Sequence, residues 1–409
     1  MLFSFYDTPF FRRCIITLLL LLTAWPAAAL SAPCSGMGKL ISNGSFAVAD
    51  TSGKIVAGCN LDQQLVPASI IKIATVLTAM QVLGPDYRFN TGFYQDSAGN
   101  LYIRGFGDPS LVSEEISLIA AHLRAQGLEN VATLFVDDSA FALEGPIPGQ
   151  AISDNPYDAP VGALAVNFNS IAVFKDKHGN ITSGEAQTPT LALMHELARQ
   201  RPAGRMRLNI CCDGSDGMER SARYAGELFK AIFQQHGITV ARLGGTKPTP
   251  SQARQLYLHS SSKNLEAISA NLMHSSSNFI ANLVFLQAGA KRKGYPATWA
   301  KARAVLQEEL NILLGPAMAQ AIHVEEGSGL SRESRASSRV MLTLLQRFRP
   351  YRAVLRQQDN ISRKSGTLTG VYNLAGYLPN GRAYVIMLNQ AKNTRDSVLA
   401  RLQQNYGAH

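Results

Sequence analysis

The run Val66-Pro67-Ala68-Ser69-Ile70-Ile71-Lys72-Ile73-Ala74-Thr75-Val76-Leu77-Thr78-Ala79-Met80-Gln81-Val82-Leu83 decides how the rest of the chain reads. From Ile70 to Leu83 it is an unbroken helix-forming stretch, closed by the breaker pair Gly84-Pro85. Ser69 therefore stands at a helix N-terminus and Lys72 follows at i+3, so their side chains share a face. Upstream, Ser45 to Asp50 alternates like a strand, Thr51-Ser52-Gly53-Lys54 supplies a turn, and Ile55 to Cys59 returns as a second strand. Alone, a serine and lysine so placed are most often a plain N-cap beside a solvated lysine. The remainder of the chain has to decide.

Two later segments bear on that choice, Ser276-Ser277-Asn278 and Lys364-Ser365-Gly366-Thr367. Short patterns recur by chance, and this chain repeats two of them: Ser260-Ser261-Ser262-Lys263 is a second S-x-x-K, and Ser262-Lys263-Asn264 a second S-x-N. A helix-capping loop explains the Ser276 segment equally well. An edge strand with a charge set against aggregation explains the Lys364 segment. Their chemistry is more telling. Hydrolysis of an amide by acyl transfer needs a nucleophile, a base and donors for the developing oxyanion. Ser69 can attack, with the positive end of a helix behind it. Lys72 can take its proton if burial or a nearby cation lowers its pKa from about 10.4. Lys364 can be that cation. Ser276 offers a hydroxyl to relay a proton, Asn278 an amide to hold substrate or Lys72, and Gly366 room for a second backbone. Lys364, Ser365 and Thr367 can bind a carboxylate.

Composition bounds the setting. The chain has 409 residues, enough for two or three domains, with 46% apolar and 17% charged residues, a globular balance. Arg12-Arg13, the apolar run Cys14 to Leu22 and Ala27-Ala28-Ala29 form the three-part pattern of a secretory leader over residues 1–29, with cleavage after Ala29. The competing reading is an uncleaved anchor, but the run is shorter than the roughly 20 residues that span a bilayer. An exported, periplasmic protein is expected. Cys34, Cys59, Cys211 and Cys212 then lie in an oxidising compartment and admit three pairings. Cys34 with Cys59 is preferred because both flank the first hairpin. The formal charge of +10, about +9 without Asp7, Arg12 and Arg13, suits anionic wall polymers or a peripheral membrane association. Nucleic acid is not expected: the one basic run, Lys291-Arg292-Lys293, lacks interleaved aromatics. No cysteine or histidine spacing suggests a metal, and no cofactor motif is present.

Between the first two segments the texture changes. Leu101 to Leu111 reads as strand then turn, Ser113 to Gln126 as an amphipathic helix and Val131 to Val136 as a strand. Residues 137–169 read as long loops, Thr190 to Gln200 and Glu219 to His236 as helices, and Gly244 to Pro250 as a linker. Beyond it come a helix pair, Leu265 to Gln287, then helices Trp299 to Leu314 and Ser337 to Phe348. Strands Ser362 to Thr367 and Ala383 to Asn389 and a helix Thr394 to Tyr406 complete the chain. One domain is interrupted by another.

The order S-x-x-K, S-x-N, K-[ST]-G is a signature of penicillin-binding enzymes. From about Gly44 onward the chain resembles the penicillin-binding protein 4 group of D-alanyl-D-alanine carboxypeptidases and endopeptidases, peptidase family S13. Supporting segments are Pro67-Ala68-Ser69, Gly107 to Leu111, Val136-Asp137-Asp138-Ser139, Ser328-Gly329-Leu330-Ser331-Arg332 and Gly370 to Gly376. In that family the S-x-N directly precedes a helix, which fits Ser276 to Ala281 and not Ser262 to Asn264. The resemblance implies an α/β (α+β) fold of the serine β-lactamase/DD-peptidase type, an antiparallel sheet flanked by helices. That domain would occupy residues 34–90 and 255–409, with an inserted α/β domain at 91–254. It implies Ser69 as nucleophile, Lys72 as base, and Ser276 and Asn278 as relay and positioning groups. Lys364, Ser365, Gly366 and Thr367 would bind substrate, and the N–H groups of Ser69 and Thr367 would form the oxyanion hole. The implied partners are peptidoglycan stem peptides and, as covalent inhibitors, β-lactams. Ser277 departs from the family's usual Asp, and Ser365 from its frequent Thr. The gap of about 200 residues from Lys72 to Ser276 fits the inserted plan but is somewhat short, with trimming expected near Phe174 to Asn209. A serine β-lactamase and a catalytically impaired wall-binding protein are the rival readings.

Overall fold

The computed structural model describes Cys34 and residues 36–407. The leader expected over residues 1–29, with its site after Ala29, lies outside the described residues.

Strands β1 (Gly44–Ala49) and β2 (Ile55–Cys59) pair antiparallel around a turn in which the Asp50 carboxylate accepts from the N–H groups of Ser52 and Lys54. A 3₁₀ turn, Ala68–Ile71, leads into helix α1 (Lys72–Val82). An excursion follows: β3 (Arg88–Gln95), β4 (Leu101–Gly105), α2 (Ser113–Ala125), β5 (Asn130–Asp137), β6 (Ser170–Lys175), β7 (Ile181–Ser183), α3 (Ala192–Ala198), β8 (Gly204–Asn209), α4 (Gly217–Gln235), β9 (Thr239–Thr246) and β10 (Arg254–Asn264). The chain then returns through α5 (Leu265–Ser275), α6 (Asn278–Lys293), α7 (Trp299–Leu314), α8 (Pro316–Ala319), β11 (Ile322–His323), β12 (Arg335–Ala336) and α9 (Ser338–Phe348). It closes with β13 (Arg356–Gln358), β14 (Ile361–Leu368), β15 (Val371–Tyr377), β16 (Ala383–Leu388) and α10 (Arg395–Tyr406).

The two ends of the chain meet in one antiparallel sheet of order β13-β14-β15-β16-β1-β2, with Gly44 opposite Leu388 and Ala49 opposite Ala383. Every residue of β1 and β16 is buried, as strands covered on both faces must be. Alternation divides them. Ala47, Ala49, Val385 and Met387 face the main core with α1, α6 and α9, while Phe46, Val48, Tyr384 and Ile386 face a second layer closed by Val398, Leu399 and Leu402 of α10. Helix α1 is buried from Lys72 to Met80, which is why its sequence is predominantly apolar.

The excursion builds its own mixed sheet, order β10-β3-β4-β5-β9, with β4, β5 and β9 parallel. Its core gathers Phe93, Ile103, Leu134, Leu228, Phe229 and Phe233. The boundaries expected at residues 91 and 254 fall within strands, since β3 begins at Arg88 and β10 runs on to Asn264. Gly244 to Thr246, expected as linker, ends β9 instead. A Cβ on Gly244 would lie 2.2 Å from the Phe135 ring, so that glycine serves close packing rather than flexibility. Phe174 to Asn209, expected to be trimmed, contributes to a three-stranded sheet of order β7-β6-β8. The strand β15, which alternation did not single out, lies between β14 and β16. Among the described residues, no helix is long and apolar enough to cross a membrane.

Cys34 and Cys59 are bridged, tying the first described residue to the end of β2, while Cys211 and Cys212 are free. The bridge closes a loop with a sequence separation of 25. Cys34→Ser is expected to lower unfolding free energy by about 3 kcal/mol, the loop-closure entropy returned to the unfolded chain. It should appear as a lower denaturant midpoint with the same effect on adding reductant to the parent protein. An unchanged midpoint would show that the bridge is dispensable.

Candidate active site

Ser69 is presented by a distorted backbone. Ala68 has φ +46°, the left-handed region that costs an L-residue roughly 1–2 kcal/mol. The turn is held from the sheet: Asn373 of β15 donates to the carbonyls of Val66 and Pro67 at 2.9 and 2.8 Å, and Asn389 accepts from Val66 N–H at 2.8 Å. Strand β14 passes so near at Gly366 that a Cβ there would sit 2.8 Å from the Pro67 carbonyl oxygen and 3.0 Å from the backbone nitrogens of Ser69 and Ile70. Ser69 was expected at the N-terminus of an α-helix. It sits instead inside the 3₁₀ turn, with the α-helix starting at Lys72. Three residues per turn stacks positions 69 and 72 directly.

Lys72 is completely buried, and its Nζ lies 2.7 Å from Ser69 Oγ, 2.8 Å from Asn278 Oδ1 and 2.8 Å from the Ser328 carbonyl. Burial, then the charge of Lys364, holds its pKa well below the usual lysine range, with Glu326 acting in the opposite sense. A neutral amine has two N–H donors and one lone pair. Asn278 and Ser328 can occupy the donors, which leaves the lone pair for the Ser69 hydroxyl.

The α5–α6 junction brings the second segment. Ser276 closes α5 in a left-handed conformation, φ +59°, and its Oγ accepts from Lys364 Nζ at 2.7 Å. Lys364 also donates to the Ser365 carbonyl at 2.9 Å. Burial, and secondarily Arg395, pushes its pKa down to about 7. Along β14, Lys364 and Gly366 are buried while Ser365 and Thr367 are exposed, and Thr367 Oγ1 accepts from Arg395 at 3.0 Å. Ser69, Ser276, Asn278, Ser365 and Thr367 line one cleft of about 420 Å³, with Tyr157 and Asp158 as its wall from the insert. Lys72, Lys364 and Gly366 lie beneath it. The duplicate motif, Ser260 to Lys263, lies in β10 at an irregularity of its pairing with β3, between Ser260 and Asn264, and does not line the Ser69 cleft.

Several contributors carry no sequence signal. Glu326 is wholly buried, and its carboxylate accepts from the N–H groups of Ser328, Leu330 and Ser331 at 2.7, 2.6 and 3.3 Å and from the Ser328 hydroxyl at 2.6 Å. It fixes the loop that aims the Ser328 carbonyl at Lys72. Its neighbours Ser328 to Arg332 supported the family resemblance, but nothing in the pattern marks the acid. Tyr157 contributes a carbonyl that accepts from Asn278 at 3.1 Å. Among the described residues, no group of three His, Cys, Asp or Glu is placed to hold a metal ion.

The departure at Ser277 has a local account. Ser277 is the N-cap of α6, its Oγ accepting from Ile280 N–H at 3.2 Å, and Asp fills that role equally well. The hydrogen bonds around Lys72 come from Asn278 and Ser328, with Glu326 holding the Ser328 loop. Ser277→Ala is expected to cost about 1 kcal/mol of stability and Ser277→Asp to cost nothing, helped by the helix dipole. Denaturant midpoints of the pair test this; equal midpoints for the two variants would deny the capping role.

Comparison with known proteins bears on the fold and the family. The model of the D-Ala-D-Ala carboxypeptidase 3 (S13) family matches residues 36–204 and 215–354, a match that ends before Lys364. The D-alanyl-D-alanine carboxypeptidase of Actinomadura sp. (strain R39) is 25% identical over 425 residues, covering 85% of this chain and 78% of its own. Penicillin-binding protein 4 (dacB) of Haemophilus influenzae superposes with a TM-score of 0.73 at 20% identity, over 91% of this chain and 98% of that one. The same protein complexed with a β-lactam superposes at 0.68 with 19% identity, over the same shares of both chains. With most of its length matched, the chain belongs to the D-Ala-D-Ala carboxypeptidase 3 (S13) family.

Proposed function

We propose that this protein is a serine DD-peptidase that cleaves D-Ala-D-Ala ends of peptidoglycan stem peptides, or D-Ala cross-links, through a covalent acyl-enzyme, and that β-lactams acylate the same serine. The observation that carries the reading is the 2.7 Å contact between Ser69 Oγ and a fully buried Lys72 amine. In the acylation step Lys72 removes the Ser69 proton as Oγ attacks the carbonyl carbon of the scissile amide. The N–H groups of Ser69 and Thr367 receive the oxyanion. Ser276 gives its hydroxyl proton to the departing amine and takes up the proton that Lys72 removed, so both lysines end as they began and the net transfer is from Ser69 to the leaving group. Lys364, Ser365 and Thr367 hold the substrate's terminal carboxylate, and water then releases the acyl group.

Family membership supports the substrate class, and Asp158, the one carboxylate lining the cleft among the described residues, supports a peptidase over a β-lactamase. Asp158 already accepts from Ser153 Oγ at 2.5 Å and Ala151 N–H at 3.3 Å, which leaves it poorly placed to activate a deacylating water. The Cys34–Cys59 bridge is consistent with export to the periplasm after cleavage of a leader at Ala29. The basic surface suits association with the wall or the membrane face.

Mixing with benzylpenicillin is expected to add one inhibitor mass to the intact protein, and Ser69→Ala to abolish the adduct. An adduct that survives Ser69→Ala would sink the assignment. Pentapeptide and cross-linked dimer, assayed side by side for D-Ala release and bridge cleavage, separate carboxypeptidase from endopeptidase action.

The acylation rate is also expected to be bell-shaped in pH. As pH falls, Lys72 becomes protonated and ceases to be a base; as pH rises past about 7, Lys364 loses the charge that grips the carboxylate. Lys364→Arg keeps its charge and should lose the alkaline limb, whatever its effect on the maximum. An alkaline limb of the same midpoint in Lys364→Arg would assign it elsewhere.

A further inference from the structure

Lys263, the lysine of the duplicate S-x-x-K, stands near the end of β10 and lines a second cavity, of about 520 Å³. This cavity shares Tyr157 and Asn278 with the Ser69 cleft, so the two are neighbours across a common wall. Its charged lining is Glu114, Glu185, Arg207 and Lys263. Glu185 and Arg207 pair with each other, whereas Glu114 and Lys263 are exposed and form no ion pair among the described residues. Ser277 also lines it, and an Asp there would tip this balance of two cations and two anions to negative. The cavity as it stands suits a ligand that carries both an ammonium and a carboxylate.

A second feature points the same way. Asn167, Phe168 and Asn169 lie consecutively in the left-handed region, φ +46°, +59° and +46°, a costly arrangement for non-glycine residues and above all for a phenylalanine. Buried hydrogen bonds enforce it: Asn167 to Ser113 Oγ at 2.9 Å and Tyr224 Oη at 3.2 Å, Asn169 to the Pro160 carbonyl and Ser221 Oγ, both at 2.9 Å. The result is to set Phe168 in the cavity wall, edge to face with Phe279 at 6.0 Å. Such strain, held from several sides, is characteristic of binding sites. An apolar wall of this kind accepts the aliphatic stem of a charged side chain.

We propose that this cavity is a subsite for the second peptide strand of a cross-linked substrate, a zwitterionic oligopeptide bound while the first strand lies against Ser69. The inference rests on the DD-peptidase reading. Lys263 takes a carboxylate of the second strand, Glu114 an ammonium, and Phe168 with Phe279 the methylenes between them.

The test is competition. A cross-linked peptide dimer and a single stem peptide are each titrated against acylation by labelled benzylpenicillin, in the parent protein and in Lys263→Glu and Lys263→Arg. Reversal of one rim charge is expected to weaken the dimer about five- to tenfold, less at high salt, and Lys263→Arg to restore it. The single stem and the uninhibited acylation rate should stay unchanged, which also shows that the variant is folded. Equal weakening of dimer and single stem, or no change in either, overturns the subsite. Failure of the parent protein to form any penicillin adduct would instead overturn the peptidase reading.

Discussion

A primary amine buried without access to water is the constraint on which this structure turns. Placing an isolated ammonium in a protein interior is so unfavourable that the group either loses its proton or must be surrounded by acceptors. Lys72 has both remedies. It is the first residue of a helix buried along most of its length, and three polar groups converge on its nitrogen from separate parts of the chain: the preceding turn, the α5–α6 junction and the loop held by Glu326. The architecture around the cleft reads as a means of bringing these together. Asn373 on β15 holds the turn, Gly366 on β14 lets it lie against the sheet, and α6 begins at Asn278.

The charges beneath the cleft follow the same logic. Burial and the charge of Lys364 oppose protonation of Lys72, and the buried Glu326 carboxylate works in the opposite sense, while burial and Arg395 oppose protonation of Lys364. Glu326 does not reach either amine in a direct ion pair. Its carboxylate is instead saturated by backbone N–H groups and the Ser328 hydroxyl, so its influence is electrostatic and its hydrogen bonds are structural. Division of that kind preserves a free lone pair on Lys72, which a direct salt bridge would have removed.

The groups that touch the cleft were legible in the sequence because acyl transfer demands particular residue types in a fixed order, and because helix and strand patterns placed them. Ser69, Lys72, Ser276, Asn278 and Lys364 to Thr367 all lie together. What supports them was not legible. Asn373 acts through carbonyls of residues more than 300 positions away, and no local pattern distinguishes it from any strand asparagine. Glu326 follows another glutamate and precedes a glycine, which reads as a solvated turn. Ala68 adopts a conformation that nothing about alanine suggests. Gly244-Gly245 misled in the opposite sense: it has the composition of a linker, yet the first glycine is there to make room for Phe135. Ser277 looked like a catalytic loss because only its place in a motif was visible, not the helix end that it caps.

The gap of about 200 residues between Lys72 and Ser276 leaves the site intact, and the fold explains why. The excursion leaves through β3 and returns through β10, and these strands pair with each other, Asn90 opposite Ser260 and Arg88 opposite Asn264. At its base, Leu265 N–H donates to the Tyr87 carbonyl at 2.8 Å and Glu266 N–H to the Pro85 carbonyl at 3.0 Å. The chain thus re-enters beside the point of departure, and α5 starts next to the end of α1 whatever has been built between them. Length is therefore free to vary there, while position is not. The excursion also reaches back to the site: the Tyr157 carbonyl accepts from the same Asn278 amide whose oxygen binds Lys72. A side-chain amide has one orientation. By occupying its NH₂ end, the insert turns the oxygen toward the amine, and the added domain becomes part of what holds Lys72 in place.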